Sequence, residues 1–314
     1  MGGAAPRVTR RRTVVVGVVL ATAATGLTWA LAYPQGSLGV TAVRVVADCA
    51  GVVTLGLAVV PVLDGERHRG ELLVRSTRPL AVASVLWLLA ELTRLIVAAA
   101  QTASLPVFRL GVQTTADFAT TTAAGRAGML AVAAATAIAV AALVAPRTAS
   151  WNVAVIGAAA VGVVARQLTG HFANSPLGGV AVTVHTLAAA LWVGALAALV
   201  LTVDHRGQWA RMLPRFSALS LICVVVLLVG GVAGAALRLG APAELYATGY
   251  GRLVSAKIAV TVALVVLGWR NRTMWLPAAR SHRATAVVSR TRAHVETAVM
   301  LVALVLAAGL AVTG

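Results

Sequence analysis

The chain has 314 residues, of which 60% are hydrophobic and only 11% are charged, whereas an average soluble domain is about a quarter charged. No water-soluble fold covers that much apolar surface, so lipid is the solvent this composition requires. The formal net charge of +17 invites a nucleic-acid reading, but the basic residues fall in short segments between apolar runs. They form no single basic face, and they read as topology signals with no nucleic-acid partner.

Apolar runs lie near 13–33, 38–63, 79–100, 126–145, 151–169, 178–203, 216–237, 252–269 and 295–313. Each approaches the roughly twenty residues that a helix needs to cross about 30 Å of hydrocarbon. The expected fold is all-α, a polytopic transmembrane helical bundle of about nine spans embedded in a lipid bilayer. Its two parts are the N-terminal transmembrane helices over 1–150 and a second set over 151–314. The first run follows Arg10-Arg11-Arg12 and ends near Ala30-Leu31-Ala32, imitating a secretory signal with its cleavage site. Its apolar stretch is long for a signal peptide, so retention is expected, and removal would leave eight spans. The segment 101–125, with Phe108, Asp117 and Phe118 among Thr and Ala, is too polar to span and reads as a partly helical surface segment.

Arginine placement gives an orientation, because cytoplasmic loops carry the excess of Lys and Arg. Arg7 to Arg12, Arg67 to Arg78, Arg147, Arg206 to Arg215 and Arg270 to Arg292 all belong to loops of one parity. The other side holds Arg109, with Arg126, Arg166, Arg238 and Arg252 at span edges. The N-terminus is therefore expected in the cytoplasm and the C-terminus outside. Cys49 and Cys223 both fall inside apolar runs, which argues against a disulfide framework.

Ionisable residues inside spans need a reason to be there, since a charge at mid-bilayer costs a few kcal/mol or more. Arg44 and Asp48 are spaced i,i+4, and Glu91 and Arg94 i,i+3, so each pair puts opposite charges on one helix face. These read either as self-neutralising pairs or as the lining of a polar path. Lys257, the only lysine, and Glu296 stand in the last two spans. Lys257 can snorkel to the outer interface.

The most informative stretch runs from Gly170-His171-Phe172 to His185-Thr186-Leu187-Ala188-Ala189-Ala190-Leu191-Trp192-Val193-Gly194. His171 falls in an outer loop, and His185 lies about two turns into the next span from the same face. Imidazole is the commonest protein metal ligand, and with sulfur partners it suits copper. Met129, about one turn into its span from the same side, and Cys49 could supply sulfur. Spacing alone leaves His185 open between helix-helix hydrogen bonding and ligation. His68, His205, His282 and His294 lie on the arginine-rich side and read as solvated loop or headgroup contacts.

This stretch resembles the signature of the bacterial copper-resistance D (CopD) membrane proteins, a histidine loop followed by a span of the form His-x-x-Ala-Ala-x-x-Trp-x-Gly-Gly, with Ala195 in the last position here. The resemblance continues through Arg215-Phe216-Ser217, Gly230-Gly231, Tyr250-Gly251-Arg252-Leu253, Lys257, Asn271-Arg272, Pro277 and Glu296, and covers roughly 151–314. It implies copper transport or transfer across the cytoplasmic membrane, with the copper ion as transported ligand. Uptake from the outer side is the direction it suggests, with a separate extracytoplasmic copper-carrier protein as partner. The positions of the residues then suggest that His171 captures copper at the outer mouth and His185 receives it inside the bundle, with Met129 as a soft third ligand. The resemblance implies no enzymatic chemistry. The His…Trp-x-Gly pattern is also similar to that of haem-linked membrane oxidases, which leaves haem binding as an alternative. A respiratory-oxidase assembly factor would show the same sequence.

Overall fold

The computed structural model describes residues 5–169, 176–238, 244–281 and 283–313, and all of its regular structure there is helical. In chain order the helices are α1 (Ala5–Ala32), α2 (Leu38–Val59), α3 (Glu66–Thr102), α4 (Val112–Thr121), α5 (Ala123–Val144) and α6 (Ala149–Ala165). They continue with α7 (Pro176–Thr202), α8 (Arg206–Arg238), α9 (Glu244–Ala247), α10 (Gly249–Arg270), α11 (Leu276–Arg280) and α12 (Ala286–Thr313). Among the described residues, eight of these are long and apolar enough to cross a membrane. The ninth expected span is α6, an apolar helix of 17 residues, at the short end of the range for a crossing. A 3-10 turn, Arg166–Thr169, extends it.

Local chemistry sets where these helices begin. Thr122, Thr148 and Thr248 each precede a helix and accept a hydrogen bond from a backbone N–H in its first turn, satisfying a donor that the helix itself cannot. Helix α3 is longer than a bilayer needs, and its charged first turns up to Arg78 lie before the apolar part, where Pro79 gives up one backbone donor. The polar segment between α3 and α5 folds as expected, with a short 3-10 turn and α4 lying against the bundle through buried Phe118, beside Leu95 and Ala99.

Helices α2 and α7 form the centre. Helix α2 packs on α3, α6, α7 and α12, and α7 packs in addition on α8. Their crossing is at Gly56 and Gly194, where a β-carbon on either glycine would collide with the backbone of the other helix. Here glycine is required by close approach of two backbones. Trp87 fills the space between α2, α3 and α6, leaving room only for glycine at Gly51 and Gly162, where a β-carbon would lie 3.0 and 2.6 Å from its ring. Helix α1 is tied in through Thr28 against Gly309, through Arg252, which donates to the carbonyls of Leu31 (2.9 Å) and Tyr33 (2.7 Å), and through Thr13 with His294 (2.9 Å). Large apolar side chains such as Val16, Val153, Val229, Val262 and Trp269 stand exposed on outer faces, the arrangement that lipid rather than water permits.

The arginine-rich end is laced together by a few acids. Asp204 meets Arg290 at 2.6 Å and Arg75 at 3.4 Å, joining the start of α8 to α12 and α3. Asp64 accepts two bonds from Arg211 (3.1 and 3.0 Å) and one from the Gly65 N–H. Burial alone would raise the Asp64 carboxyl, but those hydrogen bonds together with the Arg211 charge outweigh it and hold the group below the usual carboxylate range. Arg147 reaches Ser76 (2.6 Å) and Asn152, and burial pushes its guanidinium down to about 10, so it remains charged at neutral pH.

Candidate functional site

Two groups of polar side chains lie in the half of the bundle nearer the arginine-poor end. The first belongs to α2, α3 and the 3-10 turn after α6. Arg44 and Asp48 pair at 3.5 Å and Glu91 and Arg94 at 3.5 Å, as their spacing predicts. The helices are then cross-linked: Arg94 reaches Asp48 at 3.3 Å, and Arg166 reaches Glu91 at 2.6 Å. The pairs are therefore links of one chain, Arg44–Asp48–Arg94–Glu91–Arg166, and each acid faces two arginines. Arg166 is the member that the sequence reading left at a span edge. Its position at the end of an unusually short apolar helix was the available signal.

The second group belongs to α7, α8 and α10. Helix α7 carries Ala188, Ala190, Ala195 and Ala198 among its buried positions, small side chains that let it run through the middle of the bundle. His185 lies nearer the arginine-poor end, where its side chain is half-buried. Its Nδ1 lies against Gly230 of α8, where a β-carbon would come within 2.8 Å. Lys257 stands on α10. By helical rise, His185, Gly230 and Lys257 lie at one level, roughly 12–14 Å from the arginine-poor ends of their helices. Among the described residues neither the imidazole nor the ammonium has a hydrogen-bond or ion-pair partner. Trp192, two turns further along α7, is 6% exposed and packs in the core.

His171 and His282 lie outside the described residues. Met129 is placed but stands 46% exposed, on α5, a helix that packs on α3, α4 and α6. The structure brings His185 against Gly230, and does not bring Met129 to them. Cys49 packs with Leu301 and Val302 of α12 around Val45 and Val305. His294 binds Thr13 and the carbonyl of Arg290 (2.7 Å). Among the described residues, no group of three or more His, Cys, Asp or Glu could hold a metal ion.

An unpartnered imidazole offers a nitrogen lone pair, and among the described residues no carboxylate backs it. Tight metal sites do the reverse and back the ligating histidine with a carboxylate. The arrangement suits brief, weak contact with a cation.

Residues 31–180 match the family model described as Copper resistance protein D-like, N-terminal domain, and residues 210–310 match that described as Copper resistance protein D. The first match extends the likeness into the N-terminal half, beyond the stretch 151–314. His171 falls within the first match, and Gly230, Lys257, Asn271 and Glu296 fall within the second. His185, Trp192 and Gly194 lie between them. No curated protein and no solved structure matches the chain. The haem alternative gains no support from either match.

Proposed function

Because the chain belongs to the copper-resistance D family of membrane proteins and so has its role in copper resistance or handling, we propose that it takes copper up across the cytoplasmic membrane through the arginine-poor end of the bundle. Arginine placement supports reading that end as extracytoplasmic, with the N-terminus in the cytoplasm and the C-terminus outside. His171, in the segment that joins α6 to α7, receives copper at the mouth, from a separate extracytoplasmic carrier protein. His185 then takes it inside the bundle. Met129, on an exposed face of α5, is dispensable in this reading.

The observation that carries the proposal is the unpartnered His185 imidazole against Gly230, at the level of Lys257. The ring is half-buried rather than sealed in the core and bonds no neighbour among the described residues, so its nitrogens are open to an ion. With no carboxylate behind it the contact stays weak, and a transport site must release its ion as well as bind it. Sulfur is scarce, with 5 Met and 2 Cys in the chain, which favours an imidazole relay over a pathway of soft ligands.

Copper titration of the purified protein, followed by metal analysis after a desalting step and by optical spectra, tests this. The expected result is weak, rapidly reversible binding that decreases in His185→Ala. Copper retained unchanged in that variant would rule out His185 as a contact.

A further inference from the structure

A third ionisable group lies in the membrane, at the opposite end from the proposed entry. Glu296 of α12 is 3% exposed, and its Oε2 accepts a hydrogen bond from Asn271 Nδ2 at 2.6 Å. The chain continues past α10 as a π-helical stretch, Asn271–Trp275, and such widened turns tend to occur at functional sites. The Trp275 indole donates to Ser289 at 3.1 Å and fixes the same stretch to α12 a second time. Beside the carboxyl is a small open recess of about 30 Å³, room for about one water, walled by Phe216, Ser217 and Ser220 of α8 and by Asn271, Arg272 and Trp275.

Arg292 stands four residues before Glu296 on α12 but makes no ion pair with it among the described residues, and other charges around α12 are committed elsewhere. Arg44 of α2 donates to the carbonyl of Ala311 at the far end, Arg215 of α8 to that of Leu63, and Arg290 of α12 itself to Asp204. His294 bonds Thr13 of α1. His185 of α7 and Lys257 of α10 belong to the arginine-poor half. Arg272 lines the recess, but its guanidinium donates to the carbonyl and hydroxyl of Ser217, at 3.2 and 3.1 Å. Asp48 and Glu91, the other acids within spans, each face two arginines. Glu296 has a neutral amide, and the donors around it are oxygen and nitrogen with no sulfur, a poor copper site with an arginine at its wall.

We propose that Glu296, positioned by Asn271, is a proton-binding site open to the arginine-rich face. A proton passes from water in the recess to Oε1, the oxygen without a partner among the described residues, giving a neutral carboxyl. It returns to water by the same route. Linked to the copper path, this site exchanges protons as copper crosses, and that linkage rests on the copper reading whereas the proton site does not.

Infrared difference spectroscopy of the purified full chain reads the site directly. The expected result is a carbonyl band of a protonated carboxylic acid that varies with pH, shifts on transfer to D₂O and is absent in Glu296→Gln. Asn271→Leu keeps the carboxyl while removing its donor, and there the band should persist at a changed frequency. Identical spectra in wild type and Glu296→Gln, or a band indifferent to Asn271→Leu, would overturn the site. In cells, copper accumulation should depend on pH in the wild type and lose that dependence in Glu296→Gln. A wild type with the band but without copper accumulation would overturn the copper reading and leave the proton site standing, whereas an unaltered pH profile in Glu296→Gln would overturn the linkage.

Discussion

Around α2, α3 and the turn after α6 the buried charges are matched to one another, while His185, Lys257 and Glu296 are ionisable groups without a counterpart among the described residues. Asp48 and Glu91 each sit between two arginines, and the chain of contacts ties α2, α3 and the turn after α6 together. Two helical regions of similar composition thus use charge differently. Matched charge inside a membrane holds helices in place, because any member removed strands its neighbours. Unmatched charge must be tolerated for another reason, and exchange of an ion or a proton supplies one.

The largest effect should come from breaking the matched side. Glu91→Ala leaves Arg166 without its 2.6 Å partner and Arg94 with only Asp48. Loss of one member of a buried pair costs about 3–5 kcal/mol, so unfolding in detergent should shift strongly or membrane levels collapse. Adding Arg166→Met should restore part of the loss, since the stranded charge is then gone. An unchanged melting profile in Glu91→Ala would remove the distinction between the regions.

The α2–α7 crossing comes next, because both regions lean on it. Gly194→Val would push a side chain into the backbone of Val52 and Gly56, and overpacking of this kind costs about 1–3 kcal/mol. Loss of thermal stability together with copper handling is the expected outcome. On the unmatched side, His185→Ala should leave thermal stability nearly intact while weakening copper binding about tenfold, equivalent to roughly 1.4 kcal/mol. Equal losses in stability and binding would make His185 a packing residue.

Asp64 gives a smaller, pH-dependent effect. Its carboxyl is held below the usual range by Arg211 and the Gly65 N–H. A depressed value in the folded state contributes stability that is present above the unfolded value, about 3.9, and is lost as pH falls through the folded one. Arg211 is partly exposed, so solvent screens the pair and the contribution is about 1 kcal/mol or less. Asp64→Asn should be slightly less stable than wild type at neutral pH, and the gap should close in acid. Smallest of all, Met129→Leu should leave stability and copper accumulation unchanged.

Much of this architecture is visible in the residues. The apolar run lengths give eight helices long enough to span, and α6 is the marginal ninth, a 17-residue helix extended by a 3-10 turn. The i,i+4 and i,i+3 spacings give the pairs within α2 and α3, because those positions share a helix face. The cross-links from Arg94 and Arg166 are tertiary, and periodicity along one helix carries no information about which helix stands beside it. The partnership of Asn271 with Glu296 is hidden for a further reason. It depends on a π-helical stretch that shifts the register of side chains after α10, and no composition or spacing rule announces such a stretch. His185 lies at the depth that its position in α7 implied, and Met129 stands 46% exposed on α5. Depth along a helix follows from counting residues, but the rotation that turns a side chain inward or outward follows from packing.

The central claim is that copper enters through the two histidines of the arginine-poor end. Cellular copper accumulation in wild type, His171→Ala and His185→Ala, at matched membrane levels, tests it most directly. The account predicts that the wild type accumulates copper above cells lacking the protein and that each variant falls toward that baseline. Accumulation equal to wild type in both variants would contradict it.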